Sequence, residues 1–468
     1  MPGQPAKMPD RPEQQPAATG MASDRFPLGA AVTLADLEVN PHPVLARLRE
    51  GEPVSWLPAL GGWLVTRRDL ALRVMRDAAA FTVDDPRFST ARVVGPSMLS
   101  LDGAEHARHR GPFTRGFGHA EVCARLAAYV ESETCRLVSA MRPAGAADLR
   151  TGLAGPLAAA VIAEALGLGN ADPSAVLAWY GAIVDAVSDL ARGGPAAGAG
   201  DEAFGLLSSS LRAALAAGDR PSLLAEAAAS ASGLGPGEIV SNAAVLMFGG
   251  IETTEGMITN AVLHLLSQPG QLRLVLDHPG LVPDAIEESL RLEPAAAVVD
   301  RYAARDVTVG GASIRRGDLV TVSIAGAGRD PAVFPDPDTF DVRRENARLH
   351  LAFAHGPHFC LGVHLARLEA HAAVRAVLGA LPGLRLDPDR PSAPRGLVFR
   401  KPPSLHVRWD PGHPAASAPP STQSSSSSTP GSPTPDCLPQ PENSAHLSKS
   451  PPPRIPMAVP GSCVLHRA

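Results

Sequence analysis

The chain is 468 residues long, with 42 Lys and Arg against 47 Asp and Glu and a formal charge of −5. Charge this nearly balanced excludes a nucleic-acid binder that works through a basic surface, and five cysteines, three of them in the body, exclude a disulfide framework. A hydrophobic fraction of 45% supplies a sizeable core, but no apolar run reaches the roughly 20 residues of a membrane span, and residues 1–24 lack the apolar stretch of a secretion signal. A soluble, cytoplasmic protein is expected, with no membrane and no nucleic acid among its partners.

Residues 1–24 are polar and Pro-rich and read as disordered. Residues 25–410 carry nearly all the periodic apolar pattern and read as one domain. Within it, Pro53–Leu57 and Trp63–Thr66 predict short strands split by the turn-forming Gly61-Gly62. Asp69 is in place to cap a helix beginning at Leu70. The Ala- and Gly-rich stretch from Leu190 to Gly218 fits a mobile lid between two helices. A long amphipathic helix runs from about Gly237 to Leu266, and another from Val282 to Leu292, stopping before Pro294 as helices tend to do. Val307–Val309 and Leu319–Ile324 predict strands around Gly310, Gly311 and Gly317. A last helix follows Cys360, carries Leu361, Leu365, Leu368 and Ala372 on one face, and ends near Pro382-Gly383. Residues 411–468 hold 14 Pro and 12 Ser. They cannot bury enough apolar surface to offset the entropy of ordering, so they read as a disordered tail. Helix outweighs strand throughout, which predicts a mainly α fold with small β-sheets. A body this large without a linker points to a fold wrapped around something sizeable, such as a cofactor.

The segment from His350 to His364 is the most informative. Cys360 stands between a loop bearing Gly356 and Pro357 and the start of a helix, where the helix dipole and unpaired N–H groups favour a thiolate. Gly356 and Gly362 let the backbone pass close to a flat partner, and Phe353 can shield the sulfur from water. One soft anionic ligand on a dry loop suits haem iron. Taken alone, Cys360 fits better as a buried core cysteine, the commonest fate of a free Cys. Zinc is disfavoured, because no second Cys lies at metal spacing. A cysteine protease would need an orienting His and Asn that the sequence does not mark out.

Phe353-x-x-Gly356-x-x-x-Cys360-x-Gly362 resembles the haem-binding signature of the cytochromes P-450 at all four positions. The family often has Gly after the Phe, where this chain has Ala354. The resemblance covers about residues 25–410. It implies the cytochrome P-450 fold, with haem b (iron protoporphyrin IX) buried between the long central helix and the cysteine-loop helix and Cys360 as the metal ligand. His358 stands where bacterial members carry a basic residue that reaches a haem propionate.

Inside the long helix sits Phe248-Gly249-Gly250-Ile251-Glu252-Thr253-Thr254. Adjacent glycines cost a helix about 1 kcal/mol each relative to Ala, so this helix gives way locally for a reason. Gly249 and Thr253 share a face, which sets a gap beside a hydroxyl, with a titratable acid in Glu252. The alternative is close helix packing at small residues with Thr bonded back to a carbonyl. Beside the cysteine loop, the segment resembles the family's Ala/Gly-Gly-x-Asp/Glu-Thr motif. The resemblance then gives Thr253 and Glu252 the catalytic roles in proton delivery and places Gly249 at the cofactor.

Glu288-x-x-Arg291 has the spacing of a pair on one helix face, which Glu133 and Arg136 repeat. Followed by Pro294, Arg301, Gly317-Asp318 and Arg329-Asp-Pro331, it resembles the family's order. That implies a buried structural pair under the cysteine loop, with Arg343 as its third member. Asp102-Gly-Ala-Glu-His106-Ala-Arg108-His109-Arg110 resembles the family's Asp-x-x-Glu-His-x-x-x-Arg helix. It implies His106 and Arg110 on one propionate, with Arg301 on the other.

By the same resemblance the pocket is lined by Phe81–Met98, Val245–Phe248, Ala295–Val299 and Leu397–Phe399. Its small apolar residues suit a lipophilic small-molecule substrate. No flavin or nicotinamide fingerprint is visible, so the resemblance implies a separate ferredoxin and ferredoxin reductase as electron donors. Arg108, Arg115 and Arg367 fit a basic face near the thiolate side, and fit scattered surface charge at least as well. The expected activity is that of a monomeric haem-thiolate monooxygenase using O2 on a secondary-metabolite, terpenoid or steroid-like molecule. The competing readings are a degenerate relative that activates another enzyme, which would usually lose the cysteine, and an isomerase or peroxygenase, which would favour loss of the acid–threonine pair.

Overall fold

The structure is a computed structural model and describes residues 25–168, 172–191, 198–217 and 221–411. The disorder expected for 1–24 and for the tail 411–468 concerns, apart from Pro411, residues outside the described set. Within that set the chain is mainly helical with small sheets, and no helix is long and apolar enough to cross a membrane.

Five strands form the main sheet: β1 (Val54–Leu57), β2 (Gly62–Val65), β3 (Phe81–Thr82), β5 (Val298–Ala303) and β8 (Leu319–Ser323), in the order β1-β2-β8-β5-β3. β2 runs parallel to β8 with Trp63 opposite Val320, and the other pairings are antiparallel. Alternation of side chains across the sheet explains why all four residues of β2 are buried. Trp63 and Val65 join one apolar cluster with Leu70, Val74 and Met75 of α1 (Arg68–Arg76). Leu64 joins another with Val44, Leu45 and Leu48. β4 (Ala146–Asp148), β10 (His406–Arg408) and β9 (Arg385–Leu386) form a second sheet, and β6 (Val307–Val309) pairs with β7 (Ala312–Ile314).

α1 starts at Arg68, so Asp69 lies inside the first turn and does not cap it. The Asp69 carboxylate is taken by the Arg67 guanidinium at 2.6 and 2.8 Å. α2 (Ser89–Val94), α3 (Gly103–Thr114), α4 (His119–Met141) and α5 (Gly155–Leu166) follow. The expected lid resolves into structure. Its N-terminal end belongs to α6 (Pro173–Ala191), and 198–217 is a helix, α7 (Gly198–Ala217), packed against α6. Alanine is the strongest helix former, which is why this composition folds as helix. Residues 192–197 lie outside the described set.

The long helix is α8 (Pro236–Ser267), 32 residues and about 48 Å. Pro236 fits its first turn, and Glu238 accepts a hydrogen bond from the Gly235 N–H at 2.8 Å. Its buried residues run around the whole circumference, the mark of an internal helix. It packs against α5, α7, α9 (Val282–Leu292) and α10 (Val363–Ala380). Both ends of α9 fall where the sequence sets them. α10 presents Leu365, Leu368 and Ala372 to the same large apolar cluster that holds α8, and Leu361, expected on that helix face, packs against the cluster from just before the helix start.

Candidate active site

Cys360 lies between a single turn of 3-10 helix, Gly356–His358, and the start of α10 at Val363. Its N–H donates to the Phe353 carbonyl at 2.9 Å, and the Gly362 N–H bonds its sulfur. The residue is part-exposed, where a core cysteine would be sealed. Burial pushes the free thiol up, while the Gly362 N–H and the charges of Arg110 and Arg367 act the other way. Gly356 has φ +75°, and a Cβ there would collide with the Met75 carbonyl oxygen. The backbone of α1 therefore demands that glycine. Gly362 does leave room, since a Cβ would meet only the Phe117 ring edge at 3.9 Å. Ala354 takes φ +58°, which costs an L residue about 1–2 kcal/mol. The family's usual glycine would avoid that cost.

The two glycines of α8 divide the two readings between them. A Cβ on Gly250 would press Ile162 of α5 at 3.2 Å, so Gly250 serves close packing. A Cβ on Gly249 would meet nothing within 4 Å, and Gly249 is exposed in the middle of a buried helix. Gly249 thus opens a gap. Thr253 borders that gap and donates from Oγ1 to the Gly249 carbonyl at 2.6 Å. Glu252 points elsewhere. Its buried carboxylate pairs with Lys401 Nζ at 2.6 Å and accepts from the Tyr180 hydroxyl. Lys401 also reaches Glu255 at 2.9 Å, and Glu255 is paired in turn with Arg150. Burial, then Glu252, pushes the Tyr180 hydroxyl up, so it stays a donor. Lys401, Tyr180, Glu255 and Arg150 were not visible as partners in the sequence, because no local spacing links them to α8.

α3 presents His106 and Arg110. His106 is buried, its Nε2 has no hydrogen-bond partner, and its ring lies 4.4 Å from that of His358. Burial first, then the neighbouring His358 and Arg110, pull its imidazole down to about 4, so it is neutral at ordinary pH. His358 Nε2 bonds Asp102 Oδ1 at 2.8 Å. Asp102 Oδ2 also accepts from Thr82 Oγ1 at 2.6 Å and from the Val83 N–H at 2.8 Å. Burial opposes ionisation there, but these bonds hold the Asp102 carboxyl well below its usual range. Arg110 donates to the Phe359 carbonyl at 2.7 Å, fastening α3 to the cysteine loop. Arg301, buried in β5, donates to the Asp300 carbonyl at 2.7 Å. Burial lowers its pKa against the pull of Asp102, which places its charge in the same cluster.

Behind the loop, Glu288 and Arg291 are fully buried and joined twice, at 2.7 and 2.8 Å. Arg291 spends its remaining donors on the carbonyls of Gly328, Pro337 and Thr339. The third member is Arg344, at 3.0 Å from Glu288, and not Arg343. One residue of register decides this: the Arg344 guanidinium turns inward to Glu288 and to the Pro335 and Asp336 carbonyls. A second buried network went unread. Glu287 binds Arg367 at 2.7 and 2.9 Å and His350 at 3.2 Å, and Arg367 lies over the Phe353 ring at 4.7 Å. The expected basic face is correspondingly reduced. Arg367 is held by Glu287 and Arg108 by Glu105 and Glu238, while Arg115 is exposed and reaches Glu121 at 3.5 Å.

On the substrate side, the Phe248 and Phe399 rings meet edge to face at 5.4 Å, and the Ala297 N–H bonds the Val398 carbonyl at 2.9 Å. Three of the expected lining segments therefore converge. A part-exposed cysteine, a gap at Gly249, an orphaned buried imidazole nitrogen and a buried guanidinium together fit one kind of group: a flat apolar ring with anionic arms, as haem is.

The family model for cytochrome P450 matches residues 278–402. The chain is 35% identical to cytochrome P450 monooxygenase PikC of Streptomyces venezuelae over 397 residues, which cover 81% of this chain and 94% of the relative. It is also 35% identical to the mycinamicin IV hydroxylase/epoxidase of Micromonospora griseorubida, covering 77% of this chain and 94% of that one. Among solved structures, that of CalO2 superposes with a TM-score of 0.74 at 32% identity, covering 81% of this chain and 98% of the other.

Proposed function

This chain belongs to the cytochrome P450 family and is a monooxygenase with a haem-thiolate cofactor; from that premise we propose that it inserts one oxygen atom from O2 into a lipophilic secondary metabolite, terpenoid or steroid-like molecule. The cofactor is haem b, and Cys360 is its ligand. The observation that carries this reading is the part-exposed Cys360 fixed by the Phe353 carbonyl and the Gly362 N–H. His106, Arg110, Arg301 and His358 take the two propionates, and Asp102 holds His358 in position. Phe353 screens the sulfur, and Gly249 and Gly362 leave room for the ring.

The bound haem supplies dioxygen activation and oxygen transfer to a C–H or C=C bond. The protein's part is to exclude water and to deliver protons. Thr253 Oγ1 lies at the gap, and its hydrogen must swing away from the Gly249 carbonyl to be passed on. Glu252 lies between Lys401 and Tyr180, and it must turn from them to serve Thr253. Electrons come from a separate ferredoxin and its reductase, and the enzyme acts as a cytoplasmic monomer. One relative is named for its action on mycinamicin IV, and the apolar wall of Ala295–Val299, Phe248 and Phe399 supports a lipophilic substrate.

The test is turnover of a lipophilic compound found by its shift of the haem spectrum. Thr253→Ala is expected to keep electron consumption and lose most product, about 10²-fold if one positioned proton donor is removed. Unchanged coupling in that variant, or a spectrum moved only by small polar molecules, would contradict the reading.

A further inference from the structure

Asn242 is fully buried on α8, seven residues before Gly249 and so on the same face of the helix. Its amide makes three hydrogen bonds. Oδ1 accepts from the Met98 N–H at 2.8 Å, and Nδ2 donates to the Glu238 carbonyl at 2.8 Å and to His109 Nδ1 at 2.9 Å. The first two partners fix the amide's orientation, since a backbone N–H can only donate and a carbonyl can only accept. Nδ2 therefore faces His109 with a hydrogen, and His109 Nδ1 must be a bare acceptor. Its hydrogen is then on Nε2, 3.4 Å from Glu238 Oε1, while Arg108 Nη2, 3.2 Å from that nitrogen, gives its hydrogens to Glu105 and Glu238.

Met98 belongs to the segment 95–100, which is built onto α8. Gly95 has φ +82° and sits where a Cβ would press Ser241 Oγ at 3.2 Å. Ser97 is fully buried, with its N–H on Ser100 Oγ at 3.1 Å and its carbonyl accepting from the Ser100 N–H at 3.0 Å. The Met98 and Val94 side chains share one apolar cluster with Val245 and Phe248. The segment leads directly to Asp102, which holds His358.

We infer that Asn242 is a positioning residue that latches this segment against the substrate side of α8, and that the latch holds only while His109 is neutral. The inference rests on the pocket reading given above. A proton on His109 Nδ1 would set N–H against N–H. Turning the amide over does not help, because Nδ2 would then face the Met98 N–H and Oδ1 the Glu238 carbonyl. Protonation therefore releases Met98. The charges that face the ring are few. On α3, Arg108 lies 3.2 Å from Nε2 and is neutralised by Glu105 and Glu238, and His106 and Arg110 lie close along the same helix. From α8 comes Glu238. The helix Leu223–Ala228 also packs against α3, but its Glu226 is paired with Arg125.

The experiment compares the haem-loaded full chain at about pH 8 and about pH 5.5. Hydrogen exchange of amides 97–100, corrected for the intrinsic rate, is expected to speed up about tenfold at the lower pH, the effect of one lost buried hydrogen bond. The spectral Kd of a lipophilic ligand should weaken in parallel. Asn242→Asp keeps an acceptor for Met98 but replaces the donor with a second acceptor, so it favours protonated His109. Its pH response is expected to be opposite in sign. Equal exchange at both pH values in the wild type, or the same sign of response in Asn242→Asp, would overturn the latch. Exchange that responds to pH while ligand affinity does not would overturn the segment's role at the pocket. Failure of the chain to bind haem would sink the proposed function alone, since exchange in the haem-free full chain still judges the latch by its signs.

Discussion

Gly249 and Gly250 are neighbours in sequence and opposites in role. Gly250 gives way to Ile162, whereas Gly249 faces open space. Alanine at either position gains about 1 kcal/mol of helix preference. In Gly249→Ala that gain is uncontested, so the melting temperature is expected to rise while turnover falls, because the new methyl fills the gap beside Thr253. In Gly250→Ala the gain is offset by the displaced Ile162, and turnover is expected to persist. Calorimetry and product assay on both variants check this, and the reverse order of activity loss would contradict it. The sequence marked out the glycine pair and its two explanations. It did not assign one explanation to each residue, because that depends on α5, which comes from nearly a hundred residues upstream. Gly356 teaches the same lesson. Its glycine was legible, but its reason, the α1 backbone, was not.

At the scale of elements, α9 and α10 were legible because their apolar spacing and their bounding Pro and Gly agree. Partners across elements were much less so. Glu288 and Arg291 lie three residues apart on one helix and could be paired from spacing. Their third partner sits in an irregular segment, where nothing periodic says which of two adjacent arginines turns inward. Arg344→Ala is therefore expected to destabilise the protein by about 3 kcal/mol or more, because it strips a buried carboxylate of one partner. Arg343→Ala is expected to stay within about 0.5 kcal/mol, the usual range away from such networks. Denaturant unfolding of the two variants decides the matter, and equal effects would contradict the assignment. Lys401 shows the same limit, since its pairing with Glu252 and Glu255 follows only from the packing of the C-terminal segment against α8.

At the scale of the whole molecule, buried titratable groups tie stability to pH. Burial holds His264 at about 4. Below its ordinary value near 6.5 the unfolded chain takes up a proton that the folded chain refuses, so stability falls as pH drops from about 6.5 to about 4. The loss is on the order of 3 kcal/mol. Glu293, though buried, is held at about 2 by His42 and Arg400, so its contribution is present above about 4.5 and lost as pH falls towards 2. Unfolding free energies measured between pH 7 and pH 3 should decline throughout, and His264→Gln should flatten the upper part. An increase in stability over that upper part would contradict the burial of a neutral imidazole. The measurement that bears most directly on the account as a whole is the absorption spectrum of the reduced, carbon monoxide-bound protein, taken for the wild type and for Cys360→Ser. The wild type is expected to show the long-wavelength band of a thiolate-ligated haem, and the variant to lose it while remaining folded. A wild-type spectrum of the imidazole-ligated kind, or a thiolate band that survives in Cys360→Ser, would contradict the account.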